Sequence, residues 1–278
     1  MGNKTSAPKE APPPVTDDEK KIIRAGARAS APSPSDVNVA EYFSRRACSS
    51  KVPKVIDYRD EFFRHFPCRD QGSTSTCVAQ CGAYIKQWQE LKETGKAMLF
   101  SPDYIYDLRE NAHIIGESEG MTGRDLMRIL TQYGAALEKD YPSKYHNKFN
   151  VPESVHRKAR PYRIRGYARV ETMSELKRSL HHNGPCMMII PVYNDSSQPW
   201  VPEYKGQKWK EIHAVTVIGY NEKGFIILNS WGPDWADNGC TIFPYSHWTM
   251  KPNIYVSHVN KDECPFEVWT MIDDRNKY

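Results

Sequence analysis

Three short stretches, far apart along the chain, read as parts of one chemical machine, and a fold must bring them together. They are Asp70-Gln71-Gly72-Ser73-Thr74-Ser75-Thr76-Cys77, Ile212-His213-Ala214-Val215 and Asn229-Ser230-Trp231-Gly232. A cysteine, a histidine and an asparagine in that order supply a thiol nucleophile, its base and a group that orients the base. His213 follows Cys77 by 136 residues, and Asn229 follows His213 by 16. Cys77 opens a helical pattern, with Val78, Cys81, Ile85, Trp88 and Leu91 repeating every three or four residues and Gly95 suited to the exit. A helix N-terminus favours a thiolate, so this placement predicts an activated sulfur. His213 leads into the apolar run Ala214–Ile218, which would hold its ring rigidly. Asn229 would accept a hydrogen bond from that ring, and Trp231 would cover the bond.

The elements around these motifs alternate in kind. Ser101-Pro102 caps a second helix, and a third runs from about Thr122 to Tyr133 before Gly134. Thr172-Met173-Ser174-Glu175 reads as a capping box opening a helix that ends at Asn183-Gly184. Strand patterns follow at Pro185–Val192, Ala214–Tyr220 and Phe225–Asn229, the last two joined by the Asn221–Gly224 turn. A helical half before a mainly β half predicts a two-lobed α+β fold with a cleft between the lobes.

The Cys–His spacing falls within the roughly 130–150 residues given for papain and the cathepsins. Together with the Asn-Ser-Trp-Gly run and the glutamine six residues before Cys77, it makes the chain resemble the papain-like cysteine proteases over about residues 54–250. Ser101-Pro102, the Gly120–Gly123 segment and the Asn183-Gly184-Pro185 turn fall in that family's order. The resemblance implies a mainly antiparallel β lobe beside the helical one. It implies a thiol endopeptidase working through an acyl-enzyme on a polypeptide substrate, with no cofactor and no metal. Cys77, His213 and Asn229 would be the triad, Gln71 the oxyanion donor and Trp231 the shield. Gly120, Gly123, Glu211 and Ala214 would line the substrate pocket. Two positions depart from the family's local pattern: Thr74 stands where a disulfide cysteine is usual, and Val78 where a tryptophan is usual. Two other classes fit parts of the pattern. One is a catalytically idle papain-like structural or virion protein at a membrane; the other is a different Cys-His acyltransferase.

Residues 1–52 read as a flexible arm containing Pro8, Pro12, Pro13, Pro14, Pro32 and Pro34 and few aromatics. A short helix from Asp17 to about Arg28 is the one element the arm suggests. The peptidase domain would cover residues 53–278, with a C-terminal extension from about 251. Met1-Gly2-Asn3-Lys4-Thr5-Ser6 fits the N-myristoylation pattern at Gly2. Nearby Lys4, Lys9, Lys20, Lys21, Arg24 and Arg28 could meet an anionic membrane surface. Such a pattern points to a eukaryotic or eukaryote-infecting viral source, including the particle of a large DNA virus. The first thirty residues hold no apolar stretch of the secretory kind. Seven cysteines without framework spacing suit a reducing compartment, most of them as small buried apolar groups. The net charge of +4 does not point to nucleic acid, and none is expected. The run Arg157–Arg169, six basic residues without an acid, reads as a solvated face of strand and loop.

Overall fold

A computed structural model of the chain describes residues 25–31, 33–45, 51–109, 120–143, 151–248 and 266–273. Helix α3 (Cys77–Thr94) is its axis. Its side chains are buried without interruption from Cys77 to Leu91, so it is a helix packed on every side. Buried Gln80, Lys86, Gln87, Gln89 and Glu90 sit among its apolar residues. The helix stops where Gly95 turns left-handed, φ 70°, and returns its N–H to Leu91 O at 2.8 Å. Helix α4 (Pro102–Asp107) starts from Ser101, whose side chain accepts from Tyr104 N at 3.1 Å. Helix α5 (Gly123–Gln132) starts likewise from Thr122, which accepts from Asp125 N at 3.0 Å. Such caps each contribute about 1 kcal/mol. Phe100, Ile105, Leu126, Ile129 and Leu130 close one core between these helices and α3.

The other half is a seven-stranded sheet whose paired strands are all antiparallel. Its order is β4 (Gly166–Arg169), β9 (Glu267–Ile272), β5 (Cys186–Val192), β6 (Glu211–Tyr220), β7 (Gly224–Leu228) and β8 (Cys240–Pro244). The seventh strand, β2 (Ile56–Asp57), pairs with the end of β6. Helices α1 (Val39–Arg45) and α7 (Met173–Asn183) pack on it around Val39, Phe43, Leu176 and Leu180. The capping box of α7 is complete, with Thr172 and Glu175 each bonding the other's backbone. Helices α2 (Arg59–His65) and α6 (Glu153–Ala159) complete the helical set among the described residues. The whole is the α+β arrangement the pattern predicts.

Several expectations need correction. The arm is not loose throughout: within residues 1–52, residues 27–28 form β1 (Ala27–Arg28) and Val39–Arg45 form α1. Val39 and Phe43 are fully or almost fully buried, and that apolar burial offsets the cost of ordering. The helix expected to reach Arg28 gives way to a strand there, β1 pairing parallel with β3 (Met121–Thr122); its earlier part lies outside the described residues. The stretch read as an extension from about 251 contains β9, which lies between β4 and β5 and is buried along its full length. Its Glu-Val-Trp-Thr-Met-Ile run is a core strand of the domain. The basic run also divides: Arg165 is exposed, whereas Arg169 is buried, at 7% exposure.

Candidate active site

Cys77 comes from the first turn of α3 and His213 from β6, where the helical half meets the sheet. Strand β6 is buried from Ile212 onward and paired on both edges, so the His213 backbone has little freedom. Its Nε2 lies 2.7 Å from Asn229 Oδ1. The same Oδ1 accepts from Ser230 N at 2.8 Å, which fixes it as the oxygen. An oxygen only accepts, so Nε2 carries the proton and Nδ1 of the neutral ring is bare. Among the described residues His213 Nδ1 is buried with no hydrogen-bond partner. A buried polar atom left open in this way calls for a reason, and a catalytic role is one. The Trp231 ring lies 4.7 Å from the His213 ring, tilted by 32°. Burial lowers the imidazole pKa to about 4, against a smaller opposing push from Asn229.

The Cys77 thiol differs from the expected thiolate. Burial pushes its pKa up to about 11, although backbone N–H groups of Ala214, Gly26, Val78 and Cys77 itself favour the ionised sulfur. Desolvation outweighs the helix terminus here. Thiol and imidazole are therefore both neutral in this state. Gly26 lies beside the sulfur, its N–H reaching it and its Cα packed on the backbone of Ser75.

Gln71 is buried and held at both ends of its amide. Its Oε1 accepts from Ser230 Oγ at 2.7 Å, and its Nε2 donates to Thr74 O at 2.7 Å. One amide hydrogen remains. Thr74 is built into the same turn, donating to Gln71 O at 2.7 Å and lying 2.8 Å from Thr76 Oγ1. A hydroxyl network thus occupies the position where the family pattern has a disulfide cysteine. Val78 is fully buried in the helical core.

The residues expected to line a pocket separate into two groups. Ala214 offers its N–H to Cys77, and Gly120, at φ 104°, abuts Gly26 O and donates to Tyr106 Oη at 2.9 Å. Gly123, by contrast, is a packing glycine: a β-carbon there would lie 2.7 Å from both Met187 Cε and Trp269 Nε1. Glu211 stands exposed at the start of β6. Gly2 and most of the basic arm lie outside the described residues.

Sequence reasoning missed Ser230, which ties Gln71 to the Asn229 turn; its place between Asn229 and Trp231 was the available signal. It also missed Gly26, for which the sequence holds no signal. The described cysteines, Cys68, Cys77, Cys81, Cys186 and Cys240, are free. The carboxylates of Glu90, Glu93 and Asp273 lie within 4.8 Å of one another, but the Lys86 ammonium already bonds Glu90 and Asp273.

A papain family cysteine protease profile matches residues 52–249. The chain belongs to that family. It is 29% identical over 209 residues to "Cysteine proteinase 3" of Entamoeba histolytica, covering 70% of this chain and 63% of that protein. It is 27% identical over 202 residues to an uncharacterized peptidase C1-like protein of Acanthamoeba polyphaga mimivirus, covering 64% of each. The chain therefore spans slightly under two thirds of these two relatives. Xylellain, a cysteine protease from Xylella fastidiosa, shares the fold at a TM-score of 0.72 and 19% identity, covering 92% of this chain and 98% of that one. No helix among the described residues is long and apolar enough to cross a membrane.

Proposed function

We propose that this chain is a thiol endopeptidase in which Cys77, His213 and Asn229 act as one unit. The observation that supports this most directly is the bare, buried Nδ1 of His213, on a ring pinned through Nε2 by Asn229. Once substrate and water reach the site, Nδ1 takes the thiol proton and the sulfur attacks the peptide carbonyl carbon. His213 returns the proton to the leaving amine as the C–N bond breaks. Water then attacks the thioester, losing a proton to His213, and the thiol is regenerated. The oxyanion forms beside the Cys77 N–H and the remaining amide hydrogen of Gln71. One such donor contributes roughly 3 kcal/mol to the transition state. Ser230 and Thr74 position Gln71 for that role. Gly120 and Ala214 bound the approach to the sulfur, and a polypeptide is the partner this site suits.

The amino-terminal pattern adds a place of work. An acyl chain on Gly2 gives only weak, reversible membrane binding by itself, and Lys4, Lys9, Lys20, Lys21 and Arg24 would reinforce it on an anionic surface. A mimivirus relative keeps a large-DNA-virus setting in view.

Cys77→Ala and His213→Ala, each with unchanged circular dichroism, should abolish cleavage of a peptide library. Gln71→Ala should retain a small residue of activity. Cleavage by Cys77→Ala at the parent rate would show that the nucleophile lies elsewhere.

A further inference from the structure

Helices α3 and α7 both end at a cavity far from Cys77. Its volume is about 310 Å³, within the range of sites that hold small molecules. Glu93, on its wall, follows Cys77 by 16 residues on one helix, which places the two about 24 Å apart.

One wall is aromatic and fixed. The Tyr58 and Trp88 rings lie 4.2 Å apart between centroids, tilted by 33°. Tyr58 Oη donates to Leu180 O at 2.8 Å, which ties that ring to α7. Gly184 abuts Trp88 so closely that a β-carbon there would lie 2.7 Å from Trp88 Cδ1. A wall held in this way needs no reordering when a ligand arrives, so the entropy cost of binding stays low.

The other wall is electronegative. Gln89 and Glu93, one turn apart on α3, share a face, and both line the cavity. Gln89 is 6% exposed; its Nε2 donates to Met271 O at 3.3 Å, and its Oε1 is buried with no hydrogen-bond partner among the described residues. A buried amide oxygen in that state lacks the donor that a bound cation would bring. Beside it, Lys86 sets one positive charge against the three negative charges of Glu90, Glu93 and Asp273. The last turns of α3 and α7 add the partial negative charge of their carbonyl ends. Basic side chains also stand at the cavity. The Lys92 ammonium is engaged by Glu61 at 3.0 Å and lies 5.2 Å from the Trp88 centroid, and the His181 and His182 rings lie 4.7 Å apart.

A metal ion would need the carboxylate oxygens that Lys86 occupies. A guanidinium does not: its plane lies along an aromatic wall while its N–H groups donate to a carboxylate and an amide oxygen. We propose that this cavity binds a guanidinium cation, with Glu93 and Gln89 Oε1 receiving its N–H groups and Tyr58 and Trp88 supporting its stem. A free small molecule and an arginine side chain of a protein present the same group. The proposal is independent of the peptidase reading.

The experiment is calorimetric titration of the full chain with butylguanidinium, using butylurea as the uncharged counterpart. Butylguanidinium should bind saturably at about millimolar concentration, and butylurea about tenfold more weakly or worse. Glu93→Gln, at a half-buried helix end, should keep the parent's circular dichroism and weaken butylguanidinium by about tenfold or more. A short acetylated peptide with a central arginine is titrated into Cys77→Ala, which cannot cleave it through that sulfur. Tighter binding of the peptide than of butylguanidinium assigns the site to a protein arginine, and weaker binding assigns it to a small molecule; either upholds the site, provided that Glu93→Gln also weakens the tighter ligand. Equal affinity of parent and Glu93→Gln, or no saturable binding, overturns it. Displacement of butylguanidinium by calcium at matching concentration also overturns it, because the carboxylates would then serve a metal.

Discussion

His213→Gln should flatten the acid limb of the stability curve. In the native state burial holds the imidazole pKa near 4, whereas in the unfolded chain it lies near 6.5. Between those values the unfolded chain binds a proton that the native state refuses. Stability therefore falls as pH drops from about 6.5 to about 4, and the contribution of this group is complete below that. At about 1.36 kcal/mol for each pH unit, the gap amounts to about 3 kcal/mol. That is a large share of the 5–15 kcal/mol typical of a domain. Glutamine keeps a polar side chain there and has nothing to titrate. The assay is urea unfolding followed by tryptophan fluorescence at about pH 7 and about pH 4, comparing the pH-dependent loss in parent and variant. The parent should lose about 3 kcal/mol more than His213→Gln, whatever the variant's absolute stability. Parallel losses would refute the reasoning. They would mean that the native imidazole takes up its proton over the same pH range as in the unfolded chain, despite its burial.

Two further outcomes follow from other parts of the molecule. Lys86 is fully buried between Glu90, 3.0 Å away, and Asp273 just after β9. Lys86→Met would leave two carboxylates buried without their cation and should cost about 3–5 kcal/mol, read by thermal melting, with partial recovery on adding Asp273→Asn; a loss under about 1 kcal/mol would show that the pair contributes little. At the amino terminus, the intact mass of protein made with an N-myristoyltransferase should show the acyl group on Gly2. Gly2→Ala should remove it along with most binding to anionic vesicles, and an unmodified mature terminus would end the anchoring proposal.

The sequence alone determined the parts of this protein whose chemistry is local. Helix α3 opens at Cys77 and stops at Gly95 because a left-handed glycine ends it. Ser101, Thr122 and Thr172 mark helix starts because each side chain accepts a backbone N–H that the helix leaves open. The runs ending at Val192, Tyr220 and Leu228 are strands because continuous apolar stretches of that length fill a sheet buried on both faces. The order and spacing of Cys77, His213 and Asn229 were legible for the same reason, each lying in a short motif of distinctive residue types.

Tertiary structure decided the rest, wherever partners lie far apart in sequence. The Glu267–Ile272 run has a strand's composition, but only long-range pairing places it between β4 and β5. Arg169 belongs to a basic run that reads as solvated until the fold brings Asp36, 133 residues away, to its guanidinium. The ionisation of the site was hidden too. A helix N-terminus favours a thiolate, and the sequence shows that terminus, but desolvation depends on what covers the sulfur. Gly26 covers part of it, from a stretch too poor in apolar residues to announce that it packs anywhere. Burial is a sum over contacts from the whole chain, so it pushes the Cys77 thiol up and the His213 imidazole down, against the expected thiolate.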